Sequence, residues 1–164
     1  MASHILLASI VLAFVYNIQA DLISDVCSKS TNPTLCNQAL RSDPRSRGAD
    51  LISLGQIAVA KARDASLATL NVAKSLASGA TKGKAESCIE NCKDAIFNLN
   101  DCSTLLKRFN RGSISDLQTK GSAALTDIDT CDDDFGSTEP PKLKQASQTA
   151  QDLIDTTLVI FNRL

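Results

Sequence analysis

The sequence predicts an all-α protein, an up-down-up-down four-helix bundle preceded by a short helical hairpin. Two observations carry that expectation. Apolar residues recur at steps of three and four along four long stretches, and no stretch alternates apolar and polar residues for long enough to make a strand. The composition agrees: Ala, Leu, Ser, Lys and Asp dominate, aromatics make up 4% of the chain, and runs of β-branched residues are scarce.

The elements follow in order. "MASHILLASIVLAFVYNIQA" is apolar from Ile5 to Ile18 apart from Ser9, Tyr16 and Asn17, and it ends on Ala20. This is the pattern of a secretory signal peptide over residues 1–20, although its first residues carry His4 rather than Lys or Arg. An uncleaved anchor is the alternative, but the run is shorter than the ~20 apolar residues a membrane span needs. Residues 21–164 then form one domain, with a helical hairpin and connector over 21–47 and a bundle over 48–164.

The hairpin runs from Leu22 to about Ser42, two short segments broken at "STNP". Pro33 disfavours helical geometry at Asn32 and can open the second segment. Each arm is too short to persist alone. Cys27 and Cys36 bracket the break, which admits a metal pair, a redox pair, free thiols or a covalent staple. Zinc would need four ligands, and no His or compact C-x-x-C partner is present. Redox pairs favour the closer C-x-x-C spacing. A staple is therefore the expectation, restricting the unfolded chain by roughly 2–4 kcal/mol.

Asp50 is placed to cap the first long helix, which runs to about Ser78 on a stripe of Leu51, Leu54, Ala58, Ala62, Ala65, Thr69, Val72 and Leu76. Its many alanines and the central Gly55 predict a close helix approach. The second helix, Lys84 to Asn110, has the clearest stripe: Ala85, Cys88, Cys92, Ala95, Leu99, Cys102, Leu106 and Phe109, widened by Ile89 and Ile96. Ser113 is expected to cap the third, with Ile114, Leu117, Gly121, Ala124, Ile128 and Cys131 inward. After "DDDFGSTEPP", Pro141 opens the last helix, whose stripe is Leu143, Ala146, Ala150, Leu153, Thr157, Ile160 and Leu164. Short and medium loops between four such helices favour a simple antiparallel ring.

Composition excludes several functions. The only His is His4 and the only Tyr is Tyr16, both in the signal segment, and there is no Trp. The working chain thus has no Ser-His-Asp or Cys-His pair, no imidazole for acid–base work and little on which bases or sugars would stack. A net charge of −1 offers no basic excess for nucleic acid or an anionic membrane. "DIDTCDDDF" lacks the ligand order, the central Gly and the closing Glu of a calcium loop. No cofactor or metal is called for. The six cysteines, in an oxidising compartment, read as a disulfide framework with 15 possible full pairings.

Five stretches in order, "LISDVCSKSTNPTLCNQAL", "SDPRSRGADLISLGQ", "ESCIENCKDAIFNL", "SAALTDIDTCDDDF" and "DLIDTTLVIFNRL", resemble the plant family of pectin methylesterase and invertase inhibitors. The resemblance covers essentially the whole chain after the signal. It implies a hairpin followed by a four-helix bundle, a Cys27–Cys36 bond, and a Cys88–Cys131 bond between consecutive bundle helices. It also implies a small secreted protein of the cell wall, without catalytic residues, that covers the active-site cleft of a pectin methylesterase or an acid invertase. Three positions depart from the pattern: Cys92 stands where the family usually has an aromatic, Ile154 where it often has a fifth cysteine, and Cys102 has no usual counterpart. Ten residues of helix put Cys92 and Cys102 roughly 15 Å apart, beyond disulfide reach. Buried thiols are expected there, the alternative being an intermolecular bond or a reactive sensor.

Pectin methylesterase is the favoured partner. The Pro-Lys-Phe tripeptide common in invertase inhibitors is missing, and Pro141, Lys142 and Leu143 in "PPKLKQ" are only a near match. Glu90, Asp94, Asn98 and Asp101 form a ridge on the second bundle helix by their spacing. The resemblance makes that ridge, with Thr130 before the fourth cysteine, the partner-binding surface; an ordinary solvated face is the alternative. "SDPRS", Asp43 to Ser46 with Pro44 and Arg45, reads as a rigid connector. Two other classes stay open. A secreted ligand carrier would need an apolar cavity between helices, and a carboxylate-using hydrolase would need two acids converging in a cleft.

Overall fold

The computed structural model describes residues 22–164; the expected signal segment, 1–20, lies outside them. All regular structure among the described residues is helical. Helix α1 spans 22–27 and α2 Pro33–Arg41. The long helices are α3 (Leu51–Ser75), α4 (Lys82–Lys107), α5 (Ile114–Phe135) and α6 (Pro141–Phe161). Each long helix packs against the next, and α6 closes on α3, so the four form an up-down-up-down ring. Among the described residues no helix is long and apolar enough to cross a membrane.

The apolar stripes meet along the bundle axis. Leu99 and Leu106 of α4, Leu117 and Ile128 of α5, and Leu143 and Ile154 of α6 are fully buried, facing Ala62 and Ala73 of α3. At α3 the core is lined largely by small side chains, with Ser66 and Thr69 also buried. Their hydroxyls donate to the carbonyls of Ala62 and Ala65 four residues back (3.0 and 3.1 Å), so neither is left unsatisfied. Gly55 is also buried, but a methyl there would sit 3.5 Å from Ile160 and Leu106, an ordinary contact. The tight approach is instead at Gly121, where a Cβ would come within 2.7 Å of Leu158 of α6.

Two ends match their predicted signals. The Asp50 carboxylate accepts from the Ser53 N–H at 2.8 Å and caps α3, and Pro141 is the first residue of α6. One differs. Ser113 does not cap α5: its backbone is already helical, in a 3-10 turn over Arg111–Ser113. Asn110 caps that turn, its side-chain oxygen accepting from Gly112 N at 2.9 Å, while the Ser113 hydroxyl turns back to accept from Asn110 N at 3.4 Å. At the other end of α5, Gly136 has φ +51°, a conformation that L side chains rarely adopt, and it lets the chain leave the helix for the α5–α6 connection.

The hairpin lies across α3 and α6. Ile23, Val26, Cys27, Cys36 and Leu40 pack with Leu54, Ile57, Ala58 and Ile160 into a second apolar cluster. Cys27 and Cys36 are bonded, with Cα atoms 5.4 Å apart. Polar contacts fix the turn between the arms. Asp155 of α6 accepts from the Thr31 N–H (2.7 Å) and the Ser30 hydroxyl (3.0 Å), and Asp152 accepts from the Asn32 side chain (2.9 Å). The same Asn32 caps α2 by accepting from Leu35 N. Arg163 pairs with Asp25, tying the end of the chain to α1. This is why α6 buries Asp152 and Thr156 outside its apolar stripe: two sides of it are covered.

Candidate functional site

The outer seam between α4 and α5 lies across the bundle from the groove between α3 and α6. Cys88 of α4 and Cys131 of α5 are bonded beneath this seam, Cα atoms 4.2 Å apart. Glu90 follows Cys88 by two residues and Thr130 precedes Cys131, so the bond holds these two positions at one level of the face.

The predicted ridge divides into two parts. Glu90 and Asp94 are exposed, Glu90 pairing with Lys93 at 2.7 Å, and Thr130 is exposed with its hydroxyl donating to Thr126 O. Asn98 and Asp101 are half-buried and reach across to α5. The Asn98 amide donates to Asp127 Oδ2 at 3.1 Å, and Asp101 pairs with Lys120 at 2.8 Å. These two brace the seam rather than facing fully outward. Burial pushes the Asp127 carboxyl above its usual range; the Asn98 amide opposes that shift and the Asp94 charge adds to it. The hydrogen bond that Lys120 donates to Asp101 holds the ammonium above its usual range.

Phe97 lies in the middle of the ridge, three residues after Asp94 and four before Asp101. It is 62% exposed, with the Lys120 ammonium 5.5 Å from its ring centroid. A search for polar positions passes over it. The available signal was negative: Phe97 falls between Ala95 and Leu99, out of step with the buried stripe.

Charge on α5 is lopsided. Helix α5 carries Asp116, Asp127, Asp129, Asp132, Asp133 and Asp134 against Lys120 alone, and its last turn holds no basic residue. Acidic groups at a helix C-terminus oppose the helix dipole. They do not form a metal cage: Asp132 accepts from Gln151 (2.8 Å) on one side of the helix and Asp134 from Asn91 (3.4 Å) on another. Burial raises Asp129, with the Asp132 and Asp133 charges adding to it. At the α5–α6 junction, Asp132 Oδ1 and Glu139 Oε1 are both buried without a donor. The Glu139 carboxyl is within hydrogen-bonding reach of Asp132. Burial, then that hydrogen bond and the Asp132 charge, push it up to about 7, against Lys144 and Ser147. In its protonated form the Glu139 carboxyl can donate to Asp132.

Cys92 and Cys102 are unpaired and fully buried, and burial pushes both thiols up to about 12. The Cys92 sulfur lies within 4.8 Å of those of Cys88 and Cys131, but these are bonded to each other, so the trio is not a metal site. Between α3 and α6 an open groove of about 310 Å³, lined by Ala65, Ala68, Val72, Ala146 and Thr149 with Lys142 and Gln145, lies on the outside of the ring rather than enclosed between helices.

Comparison with known proteins gives a consistent picture. Residues 21–160 match the family model "Plant invertase/pectin methylesterase inhibitor". The chain is 40% identical to a pectinesterase inhibitor of Actinidia deliciosa over 149 residues, covering 87% of this chain and 79% of that protein. It is 30% identical to pectinesterase inhibitor 2 of Arabidopsis thaliana over 153 residues, 90% of this chain and 87% of that one. The crystal structure of a mutant form of a pectin methylesterase inhibitor from Arabidopsis superposes with a TM-score of 0.74 at 28% identity, over 87% of this chain and 96% of the other.

Proposed function

The chain belongs to the plant invertase/pectin methylesterase inhibitor family, and from that premise we propose that it is a secreted inhibitor that covers the active-site cleft of a pectin methylesterase with its α4–α5 face. The observation that carries this reading is a coincidence of two departures from local stability rules on the adjoining helices α4 and α5. Acidic residues crowd the wrong end of α5, and a phenylalanine is left in solvent on α4. Such departures concentrate where function is served. A pectin methylesterase acts on a polyuronate that gains negative charge as its esters are cleaved, so its cleft must accommodate a polyanion. An acidic face is the complement of such a cleft. Glu90, Asp94 and Thr130 are the open contacts in this reading, while Asn98 and Asp101 hold the seam in shape. No catalytic group or cofactor is needed for a rigid plug.

The names carried by the relatives support the esterase as target. The near match to the invertase-type tripeptide does not favour invertase, because Leu143 is fully buried in the core and only Pro141 and Lys142 are exposed. Titrating the purified protein, residues 21–164, against a plant pectin methylesterase and an acid invertase tests the proposal. Esterase activity is expected to fall with added protein while invertase activity stays level. Loss of invertase activity alone, loss of neither, or turnover of pectin by the protein itself would overturn it.

A further inference from the structure

We propose that Phe97 is the apolar anchor of the complex, the side chain that inserts into a sugar-binding subsite of the esterase cleft and sets how long the inhibitor stays bound; this rests on the function proposed above. The ring is the most exposed large apolar side chain among the described residues, at 62%, whereas Leu67, the other exposed one, is at 39% and lies on α3. It stands at the centre of a polar ridge, with Asp94 one turn before it and Asp101 one turn after. Aromatic side chains ringed by polar groups are the usual pattern of binding hot spots.

The ring is also held ready. Lys120 lies 5.5 Å from its centroid, and Asp101 fixes that ammonium at 2.8 Å. An aromatic ring has two rotatable side-chain bonds, and bracing it before contact lowers the ordering cost of binding. The flanking carboxylates specify the occupant. A uronate residue presents an apolar C–H face beside a carboxylate, and Phe97 with Asp94 offers the same pair of features. A subsite built for a uronate, apolar on its floor and cationic at its rim, therefore complements this segment of α4.

The experiment compares wild type with F97A, F97W and L67A, using inhibition constants and dissociation rates against the same pectin methylesterase, with thermal melts alongside. F97A is expected to weaken inhibition about tenfold or more, chiefly through faster dissociation. F97W is expected to restore most of it, L67A to change nothing, and melting temperatures to stay together because the ring is largely solvated. F97A inhibiting as tightly as wild type would overturn the anchor while leaving the esterase reading intact. Wild type failing to inhibit any pectin methylesterase would overturn both. F97E serves as a second variant at this solvated position, and unchanged inhibition by it would also overturn the anchor.

Discussion

Glu139 and Asp132 set two carboxyls against each other at the α5–α6 junction, and the consequence is a pH dependence of known sign. The Glu139 carboxyl has an ordinary value of 4.5 and is raised to about 7 in the fold. The folded protein holds a proton that the unfolded chain has released, so stability from this pair is complete below 4.5 and is lost as pH rises through about 7. Lys144 opposes the shift, and the Asp132 charge also helps to raise Asp129. Asp43 works the other way. Its hydrogen bonds from Arg45 lower it from 3.8 to about 2, giving a contribution lost as pH falls through that range, and the exposure of the Arg45 side chain keeps this one small. Melting temperature is expected to fall between pH 4.5 and 7, and E139Q, which keeps a donor facing Asp132, is expected to flatten that fall. A slope equal in wild type and E139Q would exclude the Glu139 proton as its cause.

At the scale of the helix, two glycines make opposite predictions. Gly55 has room for a methyl, so G55A is expected to gain the helix-propensity difference, about 0.5–1 kcal/mol, read as a higher melting temperature. Gly121 does not: a methyl would push on Leu158 at 2.7 Å, so G121A is expected to lose that gain and melt below G55A. The pair also shows what a single sequence holds. The four rods were legible because each has one stripe at helical spacing, and caps such as Asp50 and Pro141 act through neighbours in sequence. The sequence points to Gly55 as the close contact and shows Gly121 only as one member of an inward stripe, because helix proximity depends on which residue of another rod lies opposite. The same limit applies to Asn98 and Asp101, whose partners Asp127 and Lys120 sit on another helix. Ser113 does not serve as the cap because a 3-10 turn moves the start of the helix back to Asn110, and an exposed Phe97 leaves no mark in a pattern of polar positions.

For the molecule as a whole, net charge conceals its distribution. A formal charge of −1 reads as nearly neutral, yet α5 carries six acids against one lysine, with Asp127 and Asp134 reaching α4, while α3 holds Lys61, Arg63 and Lys74 against Asp64. Association with a cationic cleft is therefore expected to be steered by charge. Raising the salt from about 0.05 M to about 0.5 M should slow association roughly tenfold and change dissociation much less. Stopped-flow or surface-binding kinetics would show this, and a salt-independent association rate would exclude charge steering.

The crowded acids at the end of α5 carry a cost that breeding this protein for heat resistance would reveal. Replacing Asp133 or Asp134 with Lys or Arg would satisfy the helix dipole, so a screen for thermal survival alone should enrich such changes. On the function proposed above, the survivors would be hardier and poorer inhibitors, because selection would have removed negative charge beside the α4–α5 face.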